Sequence, residues 1–182
     1  MAYNLPSYST ERFSFGPGIL YIGAAGQTPT TDVGAVRTGA SLRITREVLE
    51  VPQGSPRTIV QRYVTSETVQ LSVTGIEWNL DNLAKFLGVD LTTNTESLEQ
   101  LDFGGLMSLQ HVSLKFVHQT PEGHTVEVDI WKAQGSGEIE ISFGDDIHEF
   151  PYVFNAVDSD TDWAGNSLSE GQRLCRIKYI KS

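Results

Sequence analysis

The chain has 182 residues, 20% of them charged, and a formal net charge of −10. That length suits one domain with a real hydrophobic core. The acidic balance argues against a protein that grips nucleic acid, because such affinity comes from Lys and Arg displacing counterions from phosphates.

Residues 1–15, MAYNLPSYSTERFSF, are polar with scattered aromatics and read as an extended N-terminal arm, of the kind ordered by a neighbour if at all. They show neither a basic n-region nor an apolar h-region, so no signal peptide is expected, and no apolar run approaches a membrane span. Residues 16–182 read as a single β-domain. Within GPGILYIGAAG, glycines bracket a short strand over Ile19–Ile22. A loop follows, and then SLRITRE, Ser41–Glu47, alternates with Leu42 and Ile44 on one face. Pro52, Gly54 and Pro56 mark a turn between segments rich in Val, Ile, Thr and Tyr. The pattern predicts a long hairpin leaving from Ser41, turning near Gln53–Ser55 and returning through Ile59–Val64. Its outer part, residues 48–64, is too long to pack on one small sheet and should protrude.

The returning strand enters TVQLSVTGIEW. Val69, Leu71 and Val73 point one way, while Thr68, Gln70, Ser72 and Thr74 point the other. One face is greasy and the other wet but uncharged, as on an ordinary solvated sheet or the wall of a channel. The period then changes. NLDNLAKFLG places Leu80, Leu83, Ala84 and Leu87 at helical spacing, with Asn79 as N-cap and Gly88 just past the C-terminus. Met107–Gln119 predicts a strand, PEGH its turn, and Thr125–Ala133 the partner. There Val126, Val128 and Ile130 share one face, and Glu127, Asp129 and Trp131 the other. Gly137–Gly144, GEIEISFG, predicts another strand with Ile139, Ile141 and Phe143 inward and Glu138 and Glu140 outward. Pro151 demotes His148–Val157 to an edge or bulged strand. SDTDWAG reads as an acidic loop carrying Trp163, and Arg173–Ile180 as the last strand. Short turns between neighbours make the fold class mainly antiparallel β: a sandwich or partly open barrel with one short flanking α-helix.

Chemistry is hard to find in this pattern. Cys175 is the single cysteine, so no intrachain disulfide is expected, and its neighbours Leu174 and Ile177 suggest a small buried hydrophobe. His111 and His118 differ in parity, and no CxxC, HExxH or helically spaced His pair occurs, so no metal and no cofactor is expected. Asp145 and Asp146 fit a strand-ending turn. Glu138 and Glu140 sit on one predicted face rather than across a cleft, as a glycosidase pair would. No nucleophile elbow, P-loop or dinucleotide fingerprint appears, and an enzyme is not expected. Trp78, Trp131 and Trp163 beside acidic loops leave a carbohydrate-binding β-sandwich as an alternative.

The order of the pieces is more telling than any single residue. A glycine-bracketed ILYIG strand precedes a DVGAV loop. A long hairpin then runs into TVQLSVTGIEWNLDNLAKFLG, and HEFPYVFNAVDSDTDWAG precedes a final strand. Over roughly residues 15–180 this layout resembles the major tail tube proteins of bacteriophages with long, non-contractile tails. The resemblance implies a structural virion protein, made in the host bacterial cytoplasm. Six subunits would form a ring with a shared inner β-barrel, and rings would stack into a tube that conducts double-stranded DNA without binding it specifically. Implied partners are further copies of the chain, the tail-tip initiator complex, the tape measure protein and the tail terminator. No membrane partner is implied. A terminator or head–tail joining ring is the nearest alternative. On this reading Thr68, Gln70, Ser72, Thr74, Glu127, Asp129, Glu138 and Glu140 are candidates to face the lumen, where carboxylates would repel DNA. Val51, Pro52, Gln53, Gly54, Ser55, Pro56 and Arg57 are candidates for contacts between rings, with the N-terminal arm as a second connector. Arg43 and Arg62 depart from a cation-free wall and are expected at subunit contacts.

Overall fold

A computed structural model describes residues 18–37, 39–105 and 108–181. The expected arm, residues 1–15, lies outside them, as does Met107. Ten strands and one α-helix are described: β1 (Ile19–Ala24), β2 (Thr31–Asp32), β3 (Ser41–Gln53), β4 (Thr58–Gly75), α1 (Leu80–Leu87), β5 (Thr93–Thr95), β6 (Leu98–Gln100), β7 (Val112–Gln119), β8 (Thr125–Gly135), β9 (Phe150–Ala156) and β10 (Cys175–Ile180). The fold is mainly antiparallel β with one short helix, as expected. Eight strands form one sheet in the order β2-β1-β7-β8-β9-β4-β3, and β10 pairs with β8. On the side of β8 away from β7, β10 takes residues 125–130 and β9 takes 133–135. β5 and β6 form a separate small hairpin.

Core residues come from one face of each central strand: Leu20 and Ile22 of β1, Val69, Leu71 and Val73 of β4, Leu114 of β7, Val128 and Ile130 of β8, and Tyr152 and Phe154 of β9. The sheet curls around them. Val33 N–H donates to Leu20 O of β1, while Arg37 N–H donates to Thr74 O and Ile76 N–H donates to Ala35 O. One short segment thus ties β1 to the end of β4, although three strands separate these two in the sheet.

α1 packs on the concave side for reasons visible in its residues. Asn79 Oδ1 accepts from the Asn82 N–H at 2.9 Å, and Gly88 closes the helix at φ 68°. Phe86 is fully buried, edge-on to Tyr152 and Phe154 with ring centroids 5.2 Å from each. The buried Asn82 side chain donates to Val33 O at 3.1 Å, tying α1 to the bridging segment.

Two sequence expectations need correction. Residues 137–144 form no strand: Ile139 and Ile141 still pack against the core, but the backbone makes no ladder. β9 is an interior strand, not an edge. Val153 O accepts from Ser136 N–H and Val157 N–H donates to Lys132 O, so the odd residues of β9 turn their backbone polar groups toward β8. Pro151 shares that parity, and β8 pairs only from Phe154 onward. The missing N–H of Pro151 therefore falls where no partner strand runs, and its ladder to β4 is spared.

Gly135 sets how closely α1 approaches β8: a Cβ there would lie 1.9 Å from Phe86 O. Gly135→Ala must push the helix off the sheet, and it should lower the unfolding free energy by about 2 kcal/mol or more in denaturant titration.

Candidate functional site

The predicted hairpin forms, and its register explains both its reach and its surface. β3 and β4 pair from Ser41↔Ser72 out to Gln53↔Thr58. β4 has 18 residues, roughly 60 Å of extended chain. Only its last third, from Gln70 onward, pairs with a strand other than β3. Beyond that the ribbon is two strands alone, and nearly every residue of 43–68 is exposed. Eight large apolar side chains of the ribbon are uncovered: Ile44, Val48, Leu49, Val51, Ile59, Val60, Tyr63 and Val64. Irregularities at Glu47/Val48 and Val51/Pro52 shift the register and spread these residues over both faces. The tip, Val51, Pro52, Gln53, Gly54, Ser55, Pro56 and Arg57, is exposed throughout, with Gly54 at φ 89°. A soluble monomer rarely exposes so much contiguous apolar surface.

At the base of the ribbon the uncharged wet face continues across three strands. Gln70 stands between Arg43 of β3 and Asn155 of β9, and donates to Asn155 Oδ1 at 3.2 Å. Ser72 lies between Ser41 and Val153, Thr74 opposite Pro151, and Thr68 opposite Thr45. Thr68 is exposed, and Gln70, Ser72 and Thr74 are half-buried. The structure brings these four together as predicted. It also puts Arg43 on their face, with no ion pair among the described residues. Two other ribbon arginines are paired, Arg46 with Glu67 at 2.8 Å and Arg62 with Glu50 at 2.9 Å, whereas Arg57 at the tip has no ion pair among the described residues.

Glu127 and Asp129 behave differently from the expected bare carboxylates. Both lie on the non-core face of β8, but Asp129 is 1% exposed. Lys178 of β10 reaches both, at 3.3 Å from Glu127 and 2.5 Å from Asp129, and Lys115 of β7 meets Glu127 at 2.9 Å. The result is a cross-strand ladder of alternating charge over β7, β8 and β10. Beside it Trp131 is buried under Arg176 and against Trp163, and donates from Nε1 to Gln172 O at 2.8 Å. The acidic 158–165 loop is part of this cover, with Arg173 joined to Asp158 and Asp160. Sequence parity found the right face, but not the lysines opposite or the loop that buries it. Glu138 and Glu140 are exposed and outside any strand, and Glu140 lines a cleft with Pro151, the neighbour of Thr74 on β9.

A fourth feature escaped the sequence reading. Trp78 and Phe143, half and three-quarters exposed, stack with centroids 6.0 Å apart. Trp78 Nε1 donates to His148 Nδ1 at 3.3 Å, and its ring stands edge-on to Phe150 at 4.8 Å. Exposed Ile147 extends the patch. Phe143 had been expected inside, which followed from the strand that does not form.

Burial, with the Glu67 charge, pushes the Cys175 thiol up and disfavours the thiolate. Burial raises the Tyr152 hydroxyl to about 12. No group of three or more His, Cys, Asp or Glu side chains among the described residues is arranged to hold a metal ion. No helix there is long and apolar enough to cross a membrane.

The charge ladder makes stability pH-dependent. Hydrogen bonding from Lys115 leads the groups that hold Glu127 below its ordinary 4.5. Burial alone would lower the Lys178 ammonium, but Asp129 and Glu127 outweigh it and hold it above its ordinary 10.5. The Glu127 contribution is present above 4.5 and fades in acid; the Lys178 contribution is present below 10.5 and fades in alkali. Urea unfolding should show a plateau that falls on both sides. Lys178→Met should lower the plateau by about 3 kcal/mol, because Asp129 is left buried without its cation. A scan against protein-family models finds none that matches this chain, and a search of curated proteins finds no match.

Proposed function

We propose that this chain is a self-assembling structural subunit of the tail tube of a long, non-contractile-tailed bacteriophage, with hexameric rings stacking into a conduit for double-stranded DNA. The observation that carries the reading is the β3–β4 ribbon, an apolar two-stranded projection that its own subunit leaves uncovered. Such a surface is stable in water only when another molecule covers it. The uncharged face of Thr68, Gln70, Ser72 and Thr74 supports a lumen wall, since a conduit for DNA must offer few cations to phosphates. Arg43 lies on that face. The reading requires a carboxylate of an adjacent subunit to meet it. Glu127 and Asp129, spent on lysines, do not supply the repulsion first assigned to them.

Electron microscopy of the purified protein across concentrations tests this. Stacked rings with an open bore are expected. Single rings would point to a terminator or joining ring, and a persistent monomer would count against assembly. Deleting residues 52–56 should leave the fold intact and abolish long tubes; normal tubes would remove the ribbon from its role as connector. A Gln70→Lys/Ser72→Lys/Thr74→Lys chain should still assemble, yet its tubes should retain duplex DNA at low salt and release it at high salt. Equal DNA retention by both chains would move the lumen to another face.

A further inference from the structure

We propose that the ribbon tip of one copy docks on the exposed aromatic patch of Trp78, Phe143 and Ile147 of another copy. This rests on the assembly reading above and names the receptor surface for the ribbon. Both surfaces are apolar and uncovered: Val51, Ile59 and Val60 at the tip, and Phe143 (75% exposed), Ile147 (62%) and Trp78 (50%) on the patch. The patch is pre-formed, because the His148 hydrogen bond and the Phe150 and Phe143 rings fix Trp78. Pre-formed surfaces lose less conformational freedom on binding.

Charge selects the pairing. Between Val51 and Gln61 the only charged residue is Arg57, which makes no ion pair among the described residues. Next to the patch is a cleft of about 470 Å³ edged by Glu140, Asp145 and Asp146. Glu149 at its rim is occupied by Arg37. Tip against tip would bring the arginines together, and patch against patch the carboxylates. Tip against patch brings opposite charges together.

Topology makes the contact propagate. The tip precedes Thr58, the first residue of β4, and Trp78 follows Gly75, the last. Phe150 under Trp78 pairs with Gly75. The two surfaces thus sit at opposite ends of one strand, roughly 60 Å apart. A contact between different surfaces is head-to-tail and does not close a two-fold dimer. With the two surfaces at opposite ends of β4, such a contact extends a stack when its rotation does not close into a ring.

A charge swap tests the proposal, with assembly followed by sedimentation and electron microscopy. Arg57→Glu alone and Asp145→Lys/Asp146→Lys alone should each raise the concentration needed for stacking by about tenfold or more. Combining them in one chain should restore stacking, which a misfolded variant would not do. In an equimolar mixture of the two chains the Arg57→Glu tip meets the Asp145→Lys/Asp146→Lys patch and the unaltered tip meets the unaltered patch, so the two should assemble together although neither stacks alone. Wild-type tubes together with variants that stack equally well, or a combined chain that stays unassembled, would overturn the docking site and leave the tube reading standing. A wild type that never associates would overturn both.

Discussion

The mismatch between one strand and the sheet that supports it governs this molecule. β4 is 18 residues long, but β9 covers only its last six, Gln70–Gly75. From Val69 on, the strand alternates buried and half-buried residues and supplies Val69, Leu71 and Val73 to the core. Its longer outer part has β3 alone. A lone two-stranded ribbon is marginal in water, and this one carries large apolar side chains on both faces. The core anchors the ribbon at its base, and the apolar side chains beyond it stay exposed.

The anchoring depends on contacts made across the core at the end of β4. The segment from Val33 to Arg37 ties β1 to the end of β4, and Asn82 ties α1 to the same segment. Gly135 lets α1 come close enough for Phe86 to fill the space between the Tyr152 and Phe154 rings. These contacts hold the last residues of β4 rigid. They therefore also position Trp78, three residues beyond the strand end, on Phe150. The rigid end and the projecting end belong to one continuous strand.

Charge is segregated along the same frame. The wet face of β4 is itself neutral, and β3 adds Arg43 and, toward the ribbon, Glu47 to it. The β7–β8–β10 face pairs its acids with lysines and covers them with a loop. Open carboxylates remain near the aromatic patch, at the opposite end from Arg57. This arrangement opposes like-to-like contact between copies while leaving apolar surface available for unlike contact.

Local chemistry made much of this legible in the sequence. Asn79 and Gly88 bound α1 because capping is satisfied within a few residues, and Pro52, Gly54 and Pro56 locate the hairpin turn for similar reasons. Alternation assigned both faces of β4 correctly, since side-chain direction along a strand follows from backbone geometry alone. Tertiary structure decided the rest. GEIEISFG alternates like a strand, but a strand needs a partner edge, and here none is offered; Phe143 turns outward to Trp78 instead. Pro151 reads as an edge residue until the parity of β9 shows its missing N–H falling beyond the end of β8. Asp129 reads as solvated until Lys178, 49 positions later, pairs with it and buries it. Direction, turns and caps are set by neighbours in the chain. Which edges pair, which charges meet and which apolar surfaces stay uncovered depend on residues brought together only by folding.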